Sequence, residues 1–151
     1  MGKKSKRVVS HNQRVKTTSQ QRDPTNDLHP IWNFTNVDTE GMFAFDLTRK
    51  DLDSKFLLNK LVDYSSMTWQ EILQQTHDGK SKHHKLDNLD RLSKEAQIRI
   101  EKKHLNLDTD AIFSFALDNM KRLIGIRNGA VFQVIWYDAN HEFAPSAKKH
   151  T

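Results

Sequence analysis

Basic and imidazole side chains cluster in the middle of the chain, and they are the first residues whose types suggest chemistry. His83 and His84 are adjacent, and Lys80, Lys82 and Lys85 surround them. Histidine titrates near neutral pH, so an imidazole could take a proton from a ribose 2′-hydroxyl or give one to a leaving oxygen. The lysines could hold phosphate groups. This combination predicts an RNA-facing loop; an exposed polar loop without a chemical role is the alternative.

A second set of candidates lies in the C-terminal third of the chain. Arg122 and Arg127 fall in predicted strands, where a rigid backbone could aim a guanidinium at phosphate. Pairing of Arg122 with a carboxylate such as Asp138 is the alternative. His141 follows the last predicted strand, and Asp138 could orient it as a base or could instead bond the backbone of a local turn. The predicted catalytic residues are His83, His84, His141 and Arg122.

Metal and cofactor sites have little support in the sequence. The chain has eight histidines and no cysteine, which excludes thiolate metal sites and thiol catalysis. His77, His83 and His84 form the nearest cluster, but adjacent histidines rarely reach one ion from regular backbone, and no two histidines are four residues apart. Five glycines leave little room for a glycine-rich phosphate loop. We therefore predict no metal and no cofactor.

Positive charge is concentrated near the N-terminus. The net charge is +5, yet residues 1–22 contain seven basic residues and no acidic one, which leaves −2 for the remainder. Residues 1–30 are too polar to form a core, so we predict a disordered basic arm that binds nucleic-acid phosphates by counterion release. A solubilising tail is the alternative. The predicted phosphate-binding residues at the two ends of the chain are Lys3, Lys4, Lys6, Arg7, Arg14, Lys16, Lys148 and Lys149.

Residues 31–151 are predicted to form a single α+β domain, with an antiparallel sheet that ends in a three-strand meander and packs against two to three helices. Strands are predicted where apolar residues alternate or run continuously, and helices where they recur every three or four residues after a capping residue. The predicted strands are residues 42–47, 112–117, 122–127 and 131–137. Helices are predicted to begin at Asp53 or Ser54, at Thr68 and at Ser93, with an exposed loop at residues 74–85 and with Arg99 on a solvated helix face.

The last two predicted strands form a hairpin. Asn128-Gly129 between them favours a two-residue turn, because both residue types tolerate positive φ. That turn would place Arg127 opposite Ala130 and would put Trp136 on the same face as Arg127. Both faces of the hairpin are largely apolar, which predicts a central hairpin that is covered on two sides.

The predicted elements are one strand that contains Phe43-Ala44-Phe45, then helices, then three consecutive strands. This order resembles the β-α-α-β-β-β layout of RelE-like toxins. The resemblance implies a small basic ribonuclease that cuts messenger RNA, commonly on the ribosome and without metal, and that has a neutralising antitoxin protein as a partner. The pair His83-His84 and the segments 92–97 and 122–142 also look like a group of short uncharacterised bacterial and mobile-element proteins. That second resemblance covers about residues 67–151 and implies no activity.

Two functions are compatible with these patterns. One is an RNA-binding, toxin-like protein with metal-independent ribonuclease activity on messenger or ribosome-associated RNA. The other is a non-enzymatic module that binds nucleic acid or protein and carries a basic arm. A membrane is not a predicted partner, because no run of about 20 apolar residues occurs and no apolar segment follows the basic N-terminus. A cytoplasmic location is expected.

Deletion of residues 1–22 tests the predicted arm. If about four to seven of its cations contact single-stranded RNA, a log–log plot of affinity against salt concentration should have a slope of roughly −3 to −5. The truncated protein should lose most of that slope and keep its fold, as measured by fluorescence anisotropy and circular dichroism. An unchanged slope would show that the segment only aids solubility, and loss of the fold would show that it is packed.

Overall fold

The computed structural model of the protein describes residues 23–146. This part of the chain forms three α-helices: α1 (Ser54–Ser65), α2 (Trp69–Leu73) and α3 (Lys94–Lys102). The strands are β1 (Ile31–Asn33), β2 (Thr76–His77), β3 (Lys80–Ser81), β4 (His84–Lys85), β5 (Ile112–Ala116), β6 (Arg122–Asn128) and β7 (Val131–Asp138). Short 3-10 helices span Pro24–Asp27 and Leu89–Arg91. Within this part of the chain no helix has the length and apolar character needed to cross a membrane.

The strands form a five-stranded mixed sheet and a separate two-stranded hairpin. The order in the main sheet is β1-β7-β6-β5-β4, with β1 parallel to β7 and each other pair antiparallel. Strands β2 and β3 pair with each other. The α+β class and the C-terminal meander β5–β6–β7 are as predicted. The prediction of a wholly antiparallel sheet is wrong, because β1 adds to the edge of β7 as a parallel strand.

The strand predicted at residues 42–47 is not formed. One residue of the segment makes an isolated bridge to β7, and most of its neighbours lie in turns and bends. The Asp46 carboxylate accepts hydrogen bonds from the backbone N–H and the hydroxyl of Thr48 (2.9 and 2.7 Å), and this local pairing turns the chain away from the sheet. Phe43 and Phe45 therefore pack on opposite sides of the sheet, although their alternation predicted one common face.

The helices begin where their capping residues predict. Side-chain oxygens of Asp53, Thr68 and Ser93 accept hydrogen bonds from backbone N–H groups in the first turns of α1, α2 and α3. The segment between α2 and α3, predicted as a loop, forms the β2–β3 hairpin and the edge strand β4. Asp78 and Gly79 form the hairpin turn at φ values of 50° and 74°, as a tight two-residue turn requires.

Apolar side chains cover both faces of the sheet, as the pattern of the C-terminal hairpin predicted. Helices α1 and α2 pack on one face around Phe115 and Phe132, whose rings lie 4.8 Å apart. Helix α3 packs on the other face around Ile124 and Trp136. Burial of large aromatic and aliphatic side chains is the main favourable contribution to folding, so the sheet is the rigid platform of the domain.

The hairpin between β6 and β7 differs from its predicted register. Gly129 and Ala130 form the turn, so Arg127 lies opposite Phe132 rather than Ala130. Gly129 has a φ of 61°, which suits the first position of a type II′ turn. The shift is two residues, and because side chains alternate with a period of two, it preserves the predicted faces near the turn.

A β-bulge at Gly125 then turns the β7 residues beyond it to the opposite face of the sheet from the one predicted. Gly125 lies opposite Val134, whereas Ile124 lies opposite Trp136, so β7 carries one extra residue. A Cβ atom at Gly125 would clash with the carbonyl oxygen of Gln133, and this close approach requires glycine. Trp136 consequently packs with Ile124 on the α3 side, and the prediction that it shares a face with Arg127 is wrong.

The folded domain begins before residue 31. Residues 23–30 were assigned to the disordered arm, but Thr25 and Asn26 accept hydrogen bonds from the guanidinium of Arg127. That guanidinium also lies 4.2 Å above the ring of Trp69. Residues 23–30 therefore belong to the folded domain, and the remainder of the predicted arm, residues 1–22, lies outside the described residues.

Asp38 is the centre of a buried polar network. Its side chain is 4% exposed and accepts two hydrogen bonds from Arg99 (2.7 and 2.8 Å) and one from the indole N–H of Trp136 (2.8 Å). Burial raises the pKa of Asp38, but the hydrogen bonds from Arg99, Trp136 and the Glu40 backbone outweigh this effect, so the pKa lies below its ordinary value. Arg99 was predicted to face solvent; it instead ties α3 to the loop after β1.

Replacement of Asp38 by alanine should destabilise the domain strongly. Arg99 and Trp136 would lose their acceptor, and removal of one partner from a buried ion pair costs about 3–5 kcal/mol. Asp51 provides a matched control, because it pairs with Arg49 at 2.7 Å but is 46% exposed. Asp51→Ala should therefore cost less than about 1 kcal/mol. Urea unfolding at pH 7 measures both, and equal losses would contradict the role of the Asp38 network.

Candidate active site

A cleft of about 850 Å³ opens at the end of the sheet where β5 and β7 finish and β6 begins. Its walls come from α1, the β2–β3 hairpin, the turn at residues 118–121 and the loop after β7. Among residues 23–146, five basic side chains and two carboxylates line it, so these residues give the cleft a net positive charge. The lining cations are Lys60, Lys80, Lys82, Lys121 and Arg122, the carboxylates are Asp63 and Asp118, and the imidazoles are His77, His84 and His141.

Three of the four predicted catalytic residues meet in this cleft: His84, His141 and Arg122. Burial, followed by the positive charge of Arg122, lowers the pKa of His84. The same two effects lower the pKa of His141, against the opposing attraction of Asp138. Within residues 23–146 no hydrogen bond reaches either imidazole. Both rings are therefore largely neutral near pH 7, and their nitrogen atoms are available for proton transfer.

The backbone of the loop after β7 holds His141 in place. Its φ is 56°, in the left-handed region that few residues other than glycine adopt, although histidine adopts it more readily than most. The Asp138 carboxylate, 2% exposed, accepts hydrogen bonds from the backbone N–H groups of Glu142 (3.0 Å) and Phe143 (2.8 Å). Of the two interpretations of Asp138, the structure supports the one in which it bonds the local backbone, and this bonding anchors the loop next to His141.

The edge strand β4 positions His84. His84 lies opposite Ser114 of β5, and residues opposite each other in a ladder share one face of the sheet. Arg122 lies on that face in the next row, opposite Ala116. Because side chains alternate along a strand, Lys85 points to the other face. The sheet register thus brings His84 and Arg122, 38 positions apart in the sequence, to one end of one face.

Arg122 enters the cleft from the first residue of β6. Its guanidinium donates hydrogen bonds to the carbonyl oxygens of Asp118 (2.6 Å), Lys121 (3.0 Å) and Asn119 (3.3 Å) in the preceding turn. Burial lowers the pKa of Arg122, and the attraction of Asp118 and Asp138 partly offsets this effect. Among the described residues no ion pair joins Arg122 to a carboxylate, so the alternative interpretation of Arg122 as one half of an ion pair is not observed.

His83 is not an exposed loop residue, and the prediction of an RNA-facing role for it is wrong. The ring is buried between Tyr64 and Phe115, with centroid separations of 5.4 and 5.1 Å. Its Nδ1 accepts a hydrogen bond from the Ala116 backbone N–H (3.1 Å), which leaves the proton on Nε2 to be donated to Gln75 Oε1 (2.9 Å). Burial lowers the pKa of His83 to about 3. The ring is neutral, and both of its nitrogens are used within the fold.

The other predicted phosphate-binding residues fall into three groups. Lys82 lines the cleft beside Lys80. Lys85 is exposed on β4 but outside the cleft. Arg127 lies at the opposite end of β6 from the cleft, and its guanidinium is used in stacking on Trp69. The residues Lys3, Lys4, Lys6, Arg7, Arg14, Lys16, Lys148 and Lys149 lie outside the described part of the chain.

Two lysines of the cleft were not identified from the sequence. Lys60 lies on α1 and Lys121 lies in the turn before β6. Both ammonium groups lie over the ring of Phe56, 5.7 and 4.8 Å from its centroid, and Lys121 also pairs with Asp118 at 3.5 Å. The packing of α1 on the sheet brings Lys60 and Lys121 together at Phe56. No local spacing in the sequence indicates this contact between α1 and the turn before β6.

His77, His83 and His84, which are close together in the sequence, do not form a cluster in the fold. His77 pairs with Asp78 in the β2–β3 turn at 3.4 Å, His83 points into the core, and His84 faces the cleft. No group of three or more His, Asp or Glu side chains within residues 23–146 is arranged to hold a metal ion.

The buried ring of His83 should make the domain less stable in acid. The unfolded chain takes up a proton at His83 near the ordinary pKa of 6.5, whereas the folded chain does so only near 3. Between these values the unfolded state binds more protons, so this residue removes about 1 kcal/mol of stability per pH unit as the pH falls. Urea unfolding from pH 7 to 4 should show a shallower pH slope for His83→Gln than for the natural chain. Equal slopes would contradict the burial of a neutral ring.

A comparison of the chain with protein-family models, curated proteins and solved structures finds no match. The relation to RelE-like toxins stays a prediction made from the order of elements. The geometry and charge of the cleft are therefore the basis for a functional proposal.

Proposed function

We propose that this protein binds RNA in the cleft and cleaves it without a metal, with His84 and His141 as proton-transfer groups and Arg122 as the phosphate-binding cation. The observation that carries the proposal is the presence of two imidazoles, free of hydrogen bonds from residues 23–146, beside an arginine in one positively charged cleft. The three residues come from β4, β6 and the loop after β7. Such a convergence of groups with shifted pKa values is typical of functional sites.

Cleavage at the 2′-hydroxyl of RNA needs a base, an acid and a cation. One neutral imidazole takes the proton of the 2′-hydroxyl while its oxygen bonds to phosphorus. The other imidazole, protonated, gives its proton to the 5′-oxygen as the bond from phosphorus to that oxygen breaks. The products are a 2′,3′-cyclic phosphate and a 5′-hydroxyl, and the two histidines end with their protonation states exchanged. Arg122 stabilises the negative charge that develops on the non-bridging oxygens.

The lysines of the cleft suit a phosphate chain that extends to both sides of the scissile bond. Lys80 and Lys82 come from the β2–β3 hairpin and its exit, and Lys60 and Lys121 come from the α1 side. Phosphate contacts of this kind position the chain without reading its bases, so binding is expected to weaken as salt concentration rises.

The proposal includes messenger or ribosome-associated RNA as the substrate class, a neutralising antitoxin as a partner and the cytoplasm as the location. These elements rest on the resemblance of the predicted element order to RelE-like toxins, an order whose helices and C-terminal meander are formed but whose first strand, predicted at residues 42–47, is not. Fold analogy supports them less directly than the cleft supports the chemistry. A non-enzymatic interaction module with a basic arm is the alternative, and it predicts that the histidines can be removed without effect.

Substitution of the two cleft histidines tests the chemistry. His84→Gln and His141→Asn should each lower kcat/KM for cleavage of single-stranded RNA about 10²–10⁴-fold, because each removes a proton-transfer group. His104 offers a matched control: it also has positive φ (54°), and it lies outside the cleft. Asparagine tolerates that conformation, so His104→Asn should change kcat/KM by less than about twofold. The assay uses labelled free RNA and ribosome-bound RNA in the presence of EDTA.

The pH profile is the second readout of this experiment. A pair of imidazoles gives a bell-shaped dependence of kcat/KM, whose acid limb reports the base and whose alkaline limb reports the acid. Burial and Arg122 lower the pKa of both rings from 6.5, so the maximum should lie below pH 6.5. Absence of cleavage by the natural chain, or equal cleavage by the cleft variants, would contradict the enzymatic proposal. RNA binding that persists without cleavage would favour the interaction module.

A further inference from the structure

Two of the five N–H donors of the Arg122 guanidinium have no acceptor among residues 23–146. Its Nη1 donates to the carbonyl oxygens of Asp118 and Lys121, and its Nη2 donates to that of Asn119. A guanidinium has five N–H donors, so the Nε–H and the second N–H of Nη2 remain. The Nε–H and the N–H of Nη2 that lies beside it project from the same side of the planar group, and such a pair can bind two oxygens of a phosphate at once.

The Nε atom of Arg122 is accessible from outside the domain. No buried side-chain nitrogen or oxygen atom within residues 23–146 lacks a hydrogen-bond partner, so the unpaired Nε of Arg122 lies at the accessible surface. Arg122 lines the cleft described above, and His84 and His141 line the same cleft within electrostatic reach of its charge. A phosphate bound at these donors would therefore lie near both imidazoles.

The two carboxylates that attract Arg122 are engaged elsewhere. Asp138 bonds the backbone of the loop after β7, and Asp118 bonds the backbone of the turn at residues 118–121. Within the described part of the chain, the charge of Arg122, which is only partly exposed, is thus met at short range by carbonyl dipoles alone. A partly buried cation without a short-range counter-ion is costly, and an anion from outside would compensate it.

Asp118 shapes the turn that holds the guanidinium. Its Oδ1 accepts hydrogen bonds from the backbone N–H groups of Met120 (2.9 Å) and Lys121 (2.6 Å). This arrangement folds the turn so that three of its carbonyl oxygens meet the Arg122 side chain. The rotation of the guanidinium is therefore set before a ligand arrives, which reduces the entropy lost on binding.

We infer that Arg122 and the turn at residues 118–121 form a preassembled receptor for one phosphate group, which binds through two of its oxygens to the Nε–H and Nη2–H donors. Asp118 is the positioning residue of this receptor. Its biological role rests on the proposed function, in which the bound group is the scissile phosphodiester. Binding itself requires only the phosphate, so inorganic phosphate is a sufficient probe.

Titration of the ¹⁵N-labelled full chain with inorganic phosphate tests the receptor. The Nε–H resonance of Arg122 should shift and reach saturation. Arg122→Lys keeps the charge but loses the planar pair of donors, so the Kd for phosphate should rise at least about tenfold. Lys102→Gln removes an exposed charge of α3 outside the cleft and should change the Kd by less than about twofold. Equal Kd values for Arg122→Lys and the natural chain would overturn the inference, because charge alone would then explain binding.

Substitutions of Asp118 give a test with opposite signs. On Coulombic grounds alone, removal of a carboxylate near the cleft should tighten phosphate binding, whatever residue replaces it. Asp118→Asn keeps a side-chain oxygen that can accept hydrogen bonds from the turn, so binding should tighten. Asp118→Ala removes that acceptor, so the turn should loosen and binding should weaken about threefold or more. Tighter binding in both variants would overturn the positioning role of Asp118.

The phosphate titration separates this inference from the proposed function. Phosphate binding that depends on the Arg122 donors, in a protein that does not cleave RNA, would uphold the receptor and contradict the ribonuclease. RNA cleavage that depends on His84 and His141, with phosphate binding unchanged in Arg122→Lys, would uphold the ribonuclease and contradict the receptor. The amide spectrum of each variant verifies that the fold is kept.

Discussion

The close approach of β6 and β7 at Gly125 determines the arrangement of the site. A side chain at this position would clash with the carbonyl oxygen of Gln133, and glycine lets β7 carry one extra residue against β6. If the register at the hairpin turn continued without the bulge, Tyr137 would lie opposite Arg122. With the bulge, Asp138 takes that place. The residue that anchors the His141 loop and the arginine of the cleft are thereby brought to one end of the sheet.

The same bulge links the core to the polar network at Asp38. It turns Trp136 toward α3, where the indole N–H reaches Asp38 at 2.8 Å. The carboxylate also binds Arg99 of α3 through two hydrogen bonds, so apolar packing and polar pairing attach the same helix to the same strand. Loss of the Asp38 carboxylate would leave the Arg99 guanidinium and the Trp136 indole N–H buried without an acceptor. Fully paired polar networks of this kind rigidify a core. The network thereby joins α3, β7 and the loop after β1.

The cleft contains features that cost stability. Arg122 is partly buried, no carboxylate of residues 23–146 forms an ion pair with it, and His141 has a left-handed backbone conformation. Burial and Arg122 together lower the pKa of His84 and His141, which means that each ring would be charged more easily in water than in the fold. Strain and uncompensated charge persist where the surrounding structure holds them, and they concentrate at functional sites. In contrast, His83 beneath the cleft has all its polar atoms paired and contributes to the core.

Local chemistry made part of this protein predictable from its sequence. Helix starts at Asp53, Thr68 and Ser93 follow from caps that act within three residues, the last three strands follow from apolar runs, and His84, His141 and Arg122 were identified by residue type. The parallel strand β1, the bulge, the burial of His83 and the pairing of Arg99 with Asp38 depend on contacts between segments far apart in the chain. The same residue type is solvated or buried according to those contacts. Residue identity thus determined which groups could act, and only the tertiary structure decided which of them meet, because burial and register are set by packing across the sheet.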